Sequence, residues 1–149
     1  MAQIEKDKVE RVILDLRRNG GGDSEVANPL LEALAESQSI NRKGRLFVLV
    51  GIGTLSSAQL NANTLRHNTK AILVGMPTGQ KPNAYGEMKA FELKNSGIQV
   101  SYSTKYFKTE EGDPPSMMPD VVIDTPSQEY FAANDPPLDA ILAGKIEIK

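Results

Sequence analysis

Three short apolar runs constrain this chain more than any other feature: Val12-Ile13-Leu14-Asp15-Leu16, Leu46-Phe47-Val48-Leu49-Val50 and Ala71-Ile72-Leu73-Val74, each leading into a glycine-bearing loop. Runs this short, rich in branched residues and lacking strict polar alternation, suit strands covered on both faces. Between the first two runs, Val26, Leu30, Leu31, Leu34 and Ala35 recur at helical spacing. Pro29 fits only the first turn, so this helix is predicted to start near Asn28. Between the second and third, Ser56 precedes a stretch of helix formers reaching Leu65, with a hydroxyl where a helix N-cap belongs. Two successive strand-helix-strand units predict a parallel sheet with helices on its faces.

The pattern changes after Gly75. Lys89–Lys94 and Ile98–Phe107 read as two strands joined by Asn95-Ser96-Gly97, a turn tripeptide suited to a hairpin. The Gly/Pro-rich stretch from Gly112 to Pro119 is predicted to be loop. Val121-Val122-Ile123 is expected to pair once more, and Pro136–Ala143 to close the chain as a helix. The fold class is therefore α/β, parallel βαβ units with an added antiparallel hairpin, in a single domain across residues 1–149.

Composition excludes several function classes. Seventeen basic against 19 acidic residues give a formal charge of −2, far from the basic balance of a nucleic-acid binder. The short cluster Arg42, Lys43, Arg45 reads as a solvated loop. With no cysteine and a single histidine, His67, thiolate catalysis, disulfides and the usual cysteine- and histidine-rich metal centres are excluded, and no metal or other cofactor is expected. The first ten residues are charged and lack the apolar core of a signal peptide, and no stretch approaches the length that spans a bilayer.

Ligands of open α/β sheets bind where strands run into loops, so the loops hold the chemistry. Gly20-Gly21-Gly22 begins like a dinucleotide fingerprint, but Glu25 stands where the third glycine is needed. Gly75-Met76-Pro77-Thr78-Gly79-Gln80-Lys81 loosely resembles a phosphate loop, yet Gln80 separates glycine from lysine and Pro82 replaces the magnesium-binding hydroxyl. Ser56 lies where a glycine-bearing loop meets a helix, a place whose N–H groups and dipole favour an oxyanion. The G-x-S-x-G pattern of the α/β-hydrolases is absent, because Thr54 occupies its first glycine position. Read alone, Ser56 is first of all a helix N-cap, and catalysis needs a base to shift that balance. His67 is 11 residues further along the same predicted helix, hence about 16 Å away. Lys81, after the third strand, is the better candidate, since a desolvated lysine can lose its proton.

The segment Val12-Ile13-Leu14-Asp15-Leu16-Arg17-Arg18-Asn19-Gly20-Gly21-Gly22 resembles the "DLRxNxGG" strand and loop of the tail-specific (C-terminal processing) peptidases, serine peptidase family S41. Gly53-Thr54-Leu55-Ser56-Ser57-Ala58-Gln59 resembles that family's nucleophile segment, and Ile72 to Lys81 its strand and general-base loop. Pro119-Asp120-Val121 and Asp135-Pro136-Pro137-Leu138-Asp139-Ala140 are similar to its last strand and terminal helix. The resemblance implies a crotonase-like (ClpP-like) fold and cleavage of protein or peptide substrates through an acyl-enzyme. Ser56 would attack, Lys81 would accept its proton, and the N–H groups of Gly21 or Gly22 and of Ser57 would hold the oxyanion.

Two departures qualify that expectation. Tyr85 stands where many relatives place a glutamine four residues after the lysine, and Thr78 to Glu87 is closer to a divergent bacterial branch. Relatives also carry strands, and often a peptide-binding domain, upstream of the DLR strand, which begins here about ten residues into the chain. The resemblance therefore implies a partial catalytic domain with an upstream domain missing, from an extracytoplasmic bacterial protein. The alternative function is an inactive peptide- or lipid-binding module on the same fold. A weaker third reading is a thioester enzyme that uses only the oxyanion site.

Overall fold

A computed structural model describes residues 2–147. Its parallel sheet has the order β1-β2-β3-β6, formed by β1 (Val12–Asp15), β2 (Leu46–Val50), β3 (Ile72–Gly75) and the short β6 (Val121–Val122). Every pairing in it is parallel, with Val12 opposite Leu46, Phe47 opposite Ile72 and Val74 opposite Val121.

The central strand β2 explains why the apolar runs carry no alternation. All five of its residues are buried. Leu46, Val48 and Val50 face a cluster containing Leu31 and Leu34 of α2 (Asn28–Glu36) and Ala62 and Leu65 of α3 (Ser57–Asn68). Phe47 and Leu49 face the opposite cluster, closed by Ile141 of α5 (Pro136–Leu142). Each such fully buried apolar side chain favours folding by roughly 1.5–3 kcal/mol.

The helix from Asn28, the glycine-flanked strands and the terminal helix fall where the sequence places them. The predicted hairpin is present as β4 (Ala84–Glu92) and β5 (Gln99–Phe107), which among the described residues pair only with each other. β4 begins five residues before the predicted Lys89. Asn83 accounts for the early start. It is 4% exposed, its Nδ2 donates to the carbonyls of Glu110 and Gly112, and its Oδ1 accepts from the N–H groups of Thr109 and Glu110. This clamp joins the two ends of the hairpin, so pairing starts at once with Ala84 opposite Phe107. Two short helices were not expected from periodicity: α1 (Ala2–Lys6), and α4 (Ser127–Phe131) before α5. With at most five residues each, they are too short to show a repeat.

Candidate active site

The loops after β1, β2 and β3 meet at one edge of the sheet, and glycines let them meet. A Cβ at Gly53 would lie 2.5 Å from the carbonyl oxygen of Arg17, and one at Gly79 only 2.1 Å from that of Ile52. Any side chain there would push the loops apart. Buried Thr54 completes the first junction: its hydroxyl donates to Leu16 O at 2.9 Å and accepts from Gly51 N–H at 3.0 Å. Leu55 N–H donates to Asn19 O at 3.1 Å. The third loop is tied through buried Thr78, whose hydroxyl donates to Gln80 O and accepts from Met117 N–H.

These ties deliver Ser56 to the N-terminus of α3 at φ +52° and ψ −124°. A non-glycine residue held there stores on the order of 1–3 kcal/mol of backbone strain. The sharp turn of a nucleophile elbow is thus present although its glycine pattern is not, and rigid neighbours replace the missing glycine. Ser56 is exposed. Its Oγ lies 3.0 Å from the position a Cβ would take at Gly21, which sits at φ +109°. Gly22, Ser56 and Ser57 line one cleft of about 530 Å³, whose far wall includes Tyr85 and Phe107 of the hairpin.

The N–H groups around Ser56 are unequally available. Gly21 N–H donates to Asn19 Oδ1 at 3.0 Å, and Ser56 N–H to Gln80 Oε1 at 2.8 Å. Ser57 N–H, in the first turn of α3, donates to no acceptor among the described residues. Such an orphan N–H, reinforced by the helix dipole, is a natural anion donor.

Lys81 is placed differently. It is absent from the residues lining the cleft, and its Nζ lies 2.5 Å from Asp113 Oδ2. Both side chains are more than half exposed. The hydrogen bond and charge of Asp113 hold the ammonium above the usual lysine range, so in this arrangement Lys81 is protonated. His67 is an exposed residue of α3 bonded to Glu110.

A charged network sits behind the first loop. Arg17 grips Asp135 through two bonds of 2.7 Å and also binds Asp15. Hydrogen bonding from Arg17 lowers the pKa of both carboxyl groups and their bonds raise that of the guanidinium. Asp135 also caps α5 by accepting from Leu138 N–H. The DLR arginine therefore fastens the end of β1 to the terminal helix.

Sequence reasoning missed Asn19, Gln80 and Asn83. Asn19 was legible only as part of a motif, and Gln80 only as an interruption between glycine and lysine. Their contacts join residues up to 36 apart in sequence, as between Asn19 O and Leu55 N–H, which no local periodicity encodes.

The family described as peptidase family S41 matches residues 30–123. A carboxyl-terminal-processing protease of Synechocystis sp. is 30% identical over 157 aligned positions, which take in 90% of this chain and 36% of that protein. Among solved structures, a putative S41 protease from Bacteroides fragilis superposes with a TM-score of 0.68 at 18% identity, covering 97% of this chain and 48% of the other. The photosystem II D1 C-terminal processing protease gives a TM-score of 0.60 at 21% identity, over 82% of this chain and 36% of that one. The chain thus spans about half or less of these proteins, and its parallel sheet and hairpin form the ClpP/crotonase-like α/β fold that the resemblance implies.

Proposed function

The chain belongs to peptidase family S41, and from that premise we propose that it carries the serine centre of a peptidase that cleaves peptide bonds through an acyl-enzyme with Ser56 as nucleophile. One observation carries this reading: Ser56 is held on a strained, exposed turn at the head of α3, with its Oγ against Gly21 on the wall of a cleft. Ser56 Oγ attacks the substrate carbonyl carbon as its proton passes to a base. The resulting oxyanion faces the N-terminus of α3 and Ser57 N–H. Collapse breaks the C–N bond and the leaving amine takes the proton, after which water releases the acyl group.

Lys81 is the proposed base. It acts once it leaves Asp113 and is desolvated in the cleft, which lowers its pKa toward neutrality. Peptide or protein substrates, an upstream domain and an extracytoplasmic setting are carried over from the family as parts of the same proposal.

Fluorophosphonate labelling provides the test. The wild type is expected to label at Ser56 and to accelerate as pH rises, whereas Ser56→Ala does not label. Because Asp113 raises the Lys81 pKa, Asp113→Asn should move the rising limb to lower pH. Wild-type protein that stays unlabelled across the pH range overturns the serine-peptidase reading. An unmoved limb in Asp113→Asn removes Lys81 as base.

A further inference from the structure

Two of the N–H groups nearest the nucleophile are already engaged: that of Gly21 by Asn19 Oδ1, and that of Ser56 itself by Gln80 Oε1. Ser57 N–H is left as a donor, as is Gly22 N–H in the same cleft, which has no acceptor among the described residues, and a side-chain donor beside them would strengthen the hold on a developing oxyanion. The second bond shows where another comes from. A backbone N–H can be met only by the oxygen of a glutamine amide, so the Gln80 side chain is fixed with Oε1 on Ser56 N–H and its NH2 group on the other branch of the same carbon. Among the described residues nothing accepts from that NH2 group. Gln80 is half-buried and lines the same cleft as Ser56 and Ser57.

The backbone that carries this side chain is tightly held for a loop. Gly79 packs against Ile52 O with no room for a Cβ, and Thr78 ties Gln80 O to the buried Met117 segment. A donor fixed in this way needs no reorganisation when charge develops, which is the condition for strong electrostatic catalysis.

We propose that Gln80 is a catalytic residue: Oε1 fixes the Ser56 main chain, while Nε2 donates to the oxyanion together with Ser57 N–H. This role rests on the serine-peptidase reading above. It assigns the third loop a direct part in the chemistry independent of Lys81, and it lets the Gly21 N–H remain on Asn19.

Three variants separate the two halves of the role. Gln80→Glu keeps an oxygen for Ser56 N–H but removes the donor. Gln80→Met removes both at similar size without adding charge, and Gln80→Ala removes the side chain. The rate constant for fluorophosphonate labelling of Ser56 should fall about 100-fold in all three, the usual cost of losing an oxyanion donor. Hydrogen exchange at the Ser56 amide should stay at the wild-type level in Gln80→Glu and speed up at least about tenfold in Gln80→Met and Gln80→Ala, as expected when its acceptor is lost. Labelling of Gln80→Glu or Gln80→Met within threefold of wild type overturns the donor role, and unchanged amide exchange in Gln80→Met overturns the positioning role. A wild type that never labels defeats the hydrolase reading and this role with it, whereas a labelled wild type with unaffected variants defeats this role alone.

Discussion

The parallel sheet and the β4–β5 hairpin are built from different residues, continuous aliphatic runs against mixed polar and aromatic strands, and are held in opposite ways. In the sheet, β2 and β3 are buried throughout, and helices cover both faces through separate apolar clusters. In the hairpin, Tyr85 is 71% exposed, and Phe91, Tyr102 and Tyr106 about half exposed. Its cohesion comes from cross-strand pairs such as Tyr85 with Tyr106, whose rings lie 4.9 Å apart, and from the Asn83 clamp at its base. Stability therefore resides in one region, while the cleft needs both. The sheet fixes Ser56 and the hairpin supplies the opposite wall.

Substitutions can break this contrast or sharpen it. The largest effect is expected in the sheet: Leu49→Ala should cost about 2–5 kcal/mol in urea unfolding, because α5 and β2 close around that side chain. A loss under about 1 kcal/mol would show that the second cluster is not a true core. At the junction, Asn83→Ala strands the N–H groups of Thr109 and Glu110 and should cost about 1–3 kcal/mol. Its signature is protease cleavage near residues 108–113 ahead of global unfolding. Cleavage that appears only with unfolding would mean that the hairpin and sheet melt as one unit.

A smaller effect is expected on acidification. Arg17 lowers the pKa of both Asp15 and Asp135, so their stabilisation is complete above the unfolded carboxylate value of about 3.9 and is lost as pH falls through the lowered native values. Asp135→Asn should be less stable than wild type at neutral pH, and the difference should shrink in the acid limb. A constant difference would assign the loss to the α5 cap alone. The smallest effect belongs to the hairpin, where Phe91→Ala should change stability by no more than about 1 kcal/mol.

Legibility in the sequence follows the same division. The strands of the sheet could be read because a doubly covered strand is a continuous apolar run, and α2 because Pro29 marks its first turn. The start of β4 could not, because Ala84 to Met88 lacks an apolar alternation and its pairing is set by Asn83 contacting residues 26 to 29 positions away. Ser56 was visible through its motif and helix start. Its strained backbone was not, since Thr54 hides the expected glycine and the restraint comes from Leu16, Asn19 and Gln80. Lys81 was legible as a candidate base, but not its pairing with Asp113, 32 residues on.

The close glycine contacts also govern how this protein could be re-engineered. Gly53 and Gly79 seat one loop on the next with no space to spare, so the three loops behave as a keyed stack: lengthening one or altering its tip displaces its neighbours as well. A Cβ at Gly97 in the hairpin turn would meet nothing within 4 Å among the described residues, and the φ of +69° there suits glycine. Reporter peptides or affinity handles therefore belong at that turn, whereas reshaping the loop edge of the sheet requires redesigning all three loops together.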